Sequence, residues 1–266
     1  MSPLLIAAIL GVVQGVTEFL PVSSSAHLLL GRHAFGWVDE QTGLVFDVAT
    51  HLGTLVATVI YFKDDLLAMA AALPRILTDA PEAKLMRLVV IGTVPIVIVG
   101  LLFAKWIEAH ARIPIVTVVT LSVGAIGLLL VERLGPRTRG VEDLTPGDAA
   151  AFGLAQAAAL IPGISRSGST LTVGMLMGVR RDAAARFTFL MGIPAVVAAL
   201  AKESLELRHL HVTSDLAMLL AVGAVVSGVV GYLSIRFLIR YLVGHKLDVF
   251  AYYRLALAAV VWWFVH

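Results

Sequence analysis

Two short stretches of a strongly apolar chain hold most of the residue types that do chemistry. The first, QGVTEFLPVSSSAH (residues 14–27), sets Gln14 and Glu18 four positions apart, which on a helix puts them on one face. Pro21 stops that helix, Ser23, Ser24 and Ser25 follow, and His27 lies three residues beyond Ser24. A carboxylate, a hydroxyl and an imidazole are the groups that abstract protons and attack electrophiles. The second stretch, PGISRSGST (residues 162–170), offers Ser165, Arg166, Ser167, Ser169 and Thr170 on a glycine-containing turn at the start of a helix. Backbone N–H groups at a helix N-terminus, a guanidinium fork and hydroxyl donors are what an anionic phosphate needs. Arg166 stands between AAALI and LTVGMLMG, where a charge is costly without a partner. That partner is Glu18, a substrate phosphate, or each in turn.

The elements that must carry these stretches are set by composition. Of 266 residues, 59% are hydrophobic and only 14% charged, with mean hydropathy +0.93. That is about half the charge of an ordinary soluble domain, so the bilayer is the expected solvent and the chain reads as an all-α polytopic membrane protein. The absence of cysteine excludes disulfides, thiolate nucleophiles and Cys-based metal sites. A net charge of +2 says nothing of nucleic acid by itself, and with no basic patch interleaved with aromatics no nucleic-acid partner is expected. The opening MSPLLIAAILGVVQG has neither a basic leader nor a small-residue cleavage site and is not read as a removed signal peptide. P-loop, Rossmann, G-x-S-x-G and H-E-x-x-H patterns are absent.

Six stretches approach the roughly 20 apolar residues a spanning helix needs: 43–62, 87–106, 113–131, 186–201, 215–237 and 249–265. The fourth is short and contains Pro194. Residues 3–31 and 148–178 are interrupted by the two polar stretches, so each reads as helix, break, helix, with halves too short to cross. Broken backbone at membrane depth survives only inside protein or beside water, so both regions are expected as re-entrant hairpins whose tips meet within the bundle. With the hairpins returning to their own sides, one set of connections holds thirteen Lys and Arg residues and the other five. The richer set is cytoplasmic by the positive-inside rule, which turns the mouth of the first hairpin outward. An offset of 141 aligns Pro21 with Pro162, Ser24 with Ser165 and Phe46 with Phe187, and an offset of 131 aligns Gly92 with Gly223 and Gly100 with Gly231. Three spans separate the two mouths, which makes the halves (about 1–131 and 148–266 of a single membrane domain) an inverted repeat.

The blocks QGVTEFLPVSSSAHLLLG, FDVATHLGTL, PGISRSGSTLTVGMLMG and YYRLALA resemble, in order, those of the bacterial undecaprenyl-pyrophosphate phosphatase family, also known for bacitracin resistance. The resemblance implies hydrolysis of undecaprenyl pyrophosphate to undecaprenyl phosphate and inorganic phosphate, which recycles the lipid carrier of peptidoglycan synthesis. It implies a multi-pass protein of the bacterial cytoplasmic membrane, surrounded by membrane lipids, often a homodimer, with its active site reached from the outer, periplasmic face. It implies a divalent cation, Mg²⁺ or Ca²⁺. Glu18, Ser24, His27, Ser165, Arg166 and Thr170 match the family's functional residues and Arg254 its C-terminal arginine. Glu18, Ser24, His27 and Arg166 are expected to be catalytic, and Ser165, Arg166, Thr170 and Arg254, with Ser167 beside them, to bind phosphate. The cation would fall to Glu18 and, more weakly, Gln14, where the family also carries glutamate. Gln14 leaves one ionised ligand in the motif.

Other polar residues have plainer readings. Ser23, Ser167 and Ser169 taken singly, and the G-x-x-x-G of Gly174 and Gly178, suit helix packing. Asp47 and His51 share a face of one span, either bonding each other or lining the site. His209 and His211 suit a solvated outer loop, and Arg180, Arg181 and Arg186 a membrane boundary. Two functions compete: a phosphatase, with Ser24 or an activated water as nucleophile, and a lipid-carrier flippase or secondary transporter, whose architecture shares inverted repeats and broken helices. Paired hydroxyl–Arg and Glu–His chemistry at the tips exceeds what solute binding requires and favours the phosphatase.

Overall fold

Proline places the start of several helices, because a first-turn residue has no N–H partner to lose. Pro3 opens α1 (Pro3–Thr17), Pro81 opens α5 (Pro81–Ala111), Pro114 opens α6 (Pro114–Val131) and Pro146 opens α7 (Pro146–Ala158). Thr145 and Asp148 close a reciprocal capping box at the last of these. The other helices are α2 (Ser24–Phe35), α3 (Glu40–Tyr61), α4 (Lys63–Ala71), α8 (Arg166–Leu176), α9 (Arg181–Glu206), α10 (Ser214–Gly244) and α11 (Asp248–Val265). The computed structural model describes residues 1–36, 40–134, 137–207 and 213–265. Among these, the architecture is helical throughout, with one isolated β-bridge between Arg139 and Val179. His209 and His211 lie outside the described residues.

Among the described residues five helices are long and apolar enough to cross a bilayer: α3 from Gly43, α5, α6, α9 to Leu205, and α10. The sixth expected stretch forms the 18-residue α11, which carries Asp248 and Arg254. The expected short fourth span is corrected, since α9 runs 26 residues straight through Pro194. A proline removes one backbone bond and crowds the carbonyl four residues earlier, but inside a packed helical bundle neighbours absorb that defect. Pro95 is carried in the same way inside the 31-residue α5.

The four helices that carry the polar stretches are short. α1 has 15 residues, α2 has 12, α7 has 13 and α8 has 11. At about 1.5 Å per residue none reaches across a core of about 30 Å. Both joints end on a serine forced into the left-handed region, Ser23 at φ 73° and Ser165 at φ 67°. Such a conformation costs a non-glycine residue roughly 1–3 kcal/mol and persists only where the surroundings hold it. These two caps share one backbone conformation. Ser165 matches Ser23 in backbone role, and α5 and α10 are each 31 residues long.

Packing brings the joints together. α1 and α3 lie against α10, α5 against α7, α6 against α11, and α8 against α7 and α9. The α1–α10 approach is backbone-close: a Cβ on Gly15 would stand 2.8 Å from the Ser227 carbonyl oxygen. Phe19, next to Glu18, meets Phe189 of α9 edge to face at 5.4 Å inside the main apolar core. Far from the joints, Glu132 at the end of α6 accepts from Arg181, Arg137 and the Leu247 N–H. Burial alone would push its carboxyl up, but the Arg181 hydrogen bonds and the Leu247 N–H outweigh burial and hold it below the usual carboxylate range.

Candidate active site

Glu18, the C-cap of α1, is the hub on which the two polar stretches converge. Oε1 accepts from Arg166 Nη2 at 2.8 Å, across 148 positions of sequence. Oε2 accepts from Ser24 Oγ at 2.9 Å and from Gln14 Nε2 at 3.1 Å. His51 Nε2 stands 3.6 Å from the same oxygen. The Glu18 side chain is 9% exposed and that of Arg166 18%, so the pair is largely dry yet reachable. A hydroxyl hydrogen-bonded to a carboxylate, with a guanidinium on the other oxygen, is a nucleophile beside its base and an anion-binding fork.

The two joints hold each other in place. Gly163 N–H donates to Ser25 Oγ, and Ser167 Oγ donates to the Leu20 carbonyl at 3.1 Å. Thr120 Oγ1 of α6 donates to the Pro162 carbonyl at 2.7 Å. Gly163, at φ 90°, presses where a Cβ would lie 2.1 Å from that threonine oxygen, so only glycine fits there. Backbone groups that a helix would have satisfied are thereby paired across the joint.

Of the residues expected at the site, Gln14, Glu18, Ser24 and Arg166 are brought together. The remaining hydroxyls turn to backbone. Ser165 Oγ caps α8 through the Gly168 N–H, and Thr170 Oγ1, fully buried, donates to the Arg166 carbonyl at 2.7 Å. Ser165, Ser167 and Thr170 therefore shape the second joint rather than line an open surface. Arg254 is wholly buried, with Nε donating to the Leu121 carbonyl and Nη2 to those of Thr120 and Gly163, while Nη1 has no partner. It anchors the second joint from α11. His27 does not face Glu18: Nδ1 meets the Ser23 carbonyl at 2.7 Å and Nε2 meets Tyr253 Oη at 2.7 Å. The imidazole beside Glu18 is His51, whose Nδ1 donates to the Asp47 backbone carbonyl at 2.8 Å. The Asp47 carboxylate pairs with Arg32, so no Asp47–His51 side-chain bond forms.

Sequence reasoning missed three participants: Arg32, Tyr253 and Gly192. Tyr253 stands in the YYRLALA block beside the arginine that drew notice. Gly192 sits in an apolar helix and gives no local signal, yet a Cβ there would lie 2.6 Å from Arg166 Nη1. Gly192→Ala must displace the guanidinium, whose Nη2 holds Glu18. We expect turnover to fall at least about tenfold with folding intact, since misplacement by about 1 Å suffices for losses of that order. Purified-variant kinetics with a thermal melt check this.

The residues present do not fit a resident divalent cation. Among the described residues no group of three or more His, Asp or Glu side chains comes together. Both Glu18 oxygens already accept hydrogen bonds, and Gln14 turns its amide nitrogen to Glu18, leaving Oε1 buried and unpaired. A hard cation needs several oxygen ligands, and one engaged carboxylate does not make a cage.

A narrow crevice opens from Glu18 and Arg166 between α3 and α9, lined by Phe19, Thr54, Leu55, Thr58, Phe189 and Ile193. The family model described as bacitracin resistance protein BacA matches residues 7–260. A protein of Rubrobacter xylanophilus named undecaprenyl-diphosphatase is 47% identical over 266 residues, covering 98% of each chain. Proteins of the same name from Alteromonas mediterranea and Moorella thermoacetica are 42% and 40% identical, covering 97% of both chains in the first case and 96% of this chain and 95% of that one in the second.

Proposed function

Because the chain belongs to the bacitracin resistance protein BacA family, we propose that it hydrolyses undecaprenyl pyrophosphate to undecaprenyl phosphate and inorganic phosphate, recycling the lipid carrier of cell-wall synthesis. One observation carries the reading: Ser24 from one joint and Arg166 from the other meet on the same buried carboxylate.

In the resting site Arg166 and Glu18 neutralise each other. An arriving terminal phosphate competes for the guanidinium, whose planar fork matches two phosphate oxygens. Ser24 Oγ then attacks the terminal phosphorus and its proton passes to Glu18 Oε2. The bond from that phosphorus to the bridging oxygen breaks, and undecaprenyl phosphate leaves. Glu18 hands its proton to that departing phosphate oxygen and is a base again. It then takes a proton from a water whose oxygen bonds to the phosphorus. The Ser24 Oγ–phosphorus bond breaks, and Glu18 returns the proton to Ser24 Oγ as inorganic phosphate leaves. Little covalent work falls on the protein, so positioning and charge do most of the catalysis. The crevice between α3 and α9 reaches the charged pair past Phe19, Leu55, Phe189 and Ile193 as well as Thr54 and Thr58, which supports an approach from that side.

The paired short helices with left-handed serine joints support re-entrant hairpins in an inverted repeat, and the charge asymmetry of the connections supports a site open to the periplasmic side of the bacterial inner membrane. Any divalent cation arrives on the pyrophosphate as part of the substrate. Gln14→Glu is expected to remain active and to reach half-maximal rate at lower Mg²⁺, because it places a second carboxylate beside Glu18. Titrating Mg²⁺ and Ca²⁺ against rate checks this, and an unchanged half-point would reduce Gln14 to a partner of Glu18 alone. The function itself is tested with purified protein in detergent. Inorganic phosphate should appear in step with loss of undecaprenyl pyrophosphate, whereas lipid movement in vesicles without phosphate release would favour a flippase.

A further inference from the structure

His27 is closed on both edges. The Ser23 carbonyl can only accept, so Nδ1 carries the proton and Nε2 is left with a lone pair. The group facing that lone pair at 2.7 Å is the Tyr253 phenol, which is thereby the donor. The two rings lie parallel within 2°, with centroids 5.6 Å apart. What His27 grips matters as much as what grips it. Ser23 is the residue at φ 73°, it has no side-chain cap bond, and it immediately precedes Ser24. Strain of that kind needs an external hold, and the imidazole supplies one at the Ser23 carbonyl. The next residue of α11, Arg254, holds the other joint through the Gly163 carbonyl. Adjacent residues of one helix thus reach both joints.

We propose that Tyr253 is a positioning residue of the phosphatase, acting through His27 to hold the Ser23 carbonyl and so to aim Ser24 at Glu18. The proposal rests on the phosphatase reading above for its kinetic test and is independent of it for its spectroscopic one. It makes His27 a strut for the nucleophile's backbone, with no free ring nitrogen facing the Glu18 hub. Tyr253 is 47% exposed and its ring needs no hydroxyl to pack, so Tyr253→Phe removes the hydrogen bond and little else.

Tyr253→Phe is expected to lower kcat about tenfold with KM within about twofold of wild type, because Ser24 loses its aim while phosphate binding by Arg166 stays. Introduced into His27→Ala, the same change should add less than about a further twofold, as residues acting through one another are not additive. Histidine labelled with ¹⁵N should show one ring, absent in His27→Ala, as an Nδ1–H tautomer with a hydrogen-bonded Nε2. That Nε2 resonance should move to the unbonded position in Tyr253→Phe. Wild-type kcat in Tyr253→Phe, an equal loss in both backgrounds, or an Nε2 resonance indifferent to the tyrosine hydroxyl would each overturn the proposal. If wild-type protein releases no phosphate, the phosphatase reading fails, and the ¹⁵N measurement still decides whether Tyr253 holds His27.

Discussion

Arg166→Lys is expected to cost about a hundredfold or more in turnover while the protein folds, inserts and purifies normally. Lysine keeps the charge and can still pair with Glu18, so the neutral resting hub survives. What it loses is the planar fork that grips two phosphate oxygens at once. Charge-assisted bonds made most strongly in the transition state are worth roughly 2–4 kcal/mol together, which sets the expected loss. The loss should fall on kcat more than on KM, since a point charge still attracts the substrate. Wild-type turnover in a well-folded Lys variant would remove Arg166 from the reaction.

Glu18→Gln should go further, because it removes the base and the counter-charge in one step. Proton transfer by a placed carboxylate contributes about 10²- to 10⁴-fold, and an amide offers none of it. The variant also leaves the Arg166 guanidinium, 18% exposed, facing two neutral amides, Gln14 and the new one. Breaking one side of a buried pair costs about 3–5 kcal/mol in closed sites, and the partial exposure of Arg166 reduces that. Two readouts follow. Phosphate release should collapse at every Mg²⁺ concentration, and the melting temperature should drop, which sets this variant apart from Arg166→Lys. A Glu18→Gln enzyme rescued by added cation would move the base elsewhere, with His51 the nearest titratable neighbour.

Much of this was legible in the residues. Hydropathy located the long helices, and Pro21 with the serines after it located a joint, because polar groups in an apolar segment are expensive enough to need a reason. The Glu18–Arg166 pairing was open to inference for the same reason: each is the charge the other lacks. Hydroxyl orientation was not legible. Thr170 and Ser165 look like phosphate ligands in sequence, yet a hydroxyl in a short helix is within reach of its own backbone, and here that bond is taken. Nor could spacing tell which imidazole meets Glu18. His27 is nearer in the chain, but the left-handed turn at Ser23 swings it toward α11, and α3 delivers His51 instead. Pro194 misled in the other direction, since its effect on α9 depends on neighbours that no local pattern reveals.

The cross-bracing of the two joints bears on how the chain is made. Ser25 waits for Gly163, Leu20 for Ser167, and Glu18 for Arg166, partners 138 to 148 positions later in the chain. At about 5–20 residues per second, the ribosome leaves the first joint without them for on the order of ten seconds. Throughout that interval Glu18 has Ser24 and Gln14 beside it but no counter-charge, and the Leu20 carbonyl has the Val22 N–H but not the Ser167 hydroxyl. A chain stalled or truncated before residue 162 lacks that counter-charge and bracing permanently. Nascent N-terminal halves should accordingly be targets for membrane quality-control proteases, while supplying the C-terminal half as a separate polypeptide should protect them.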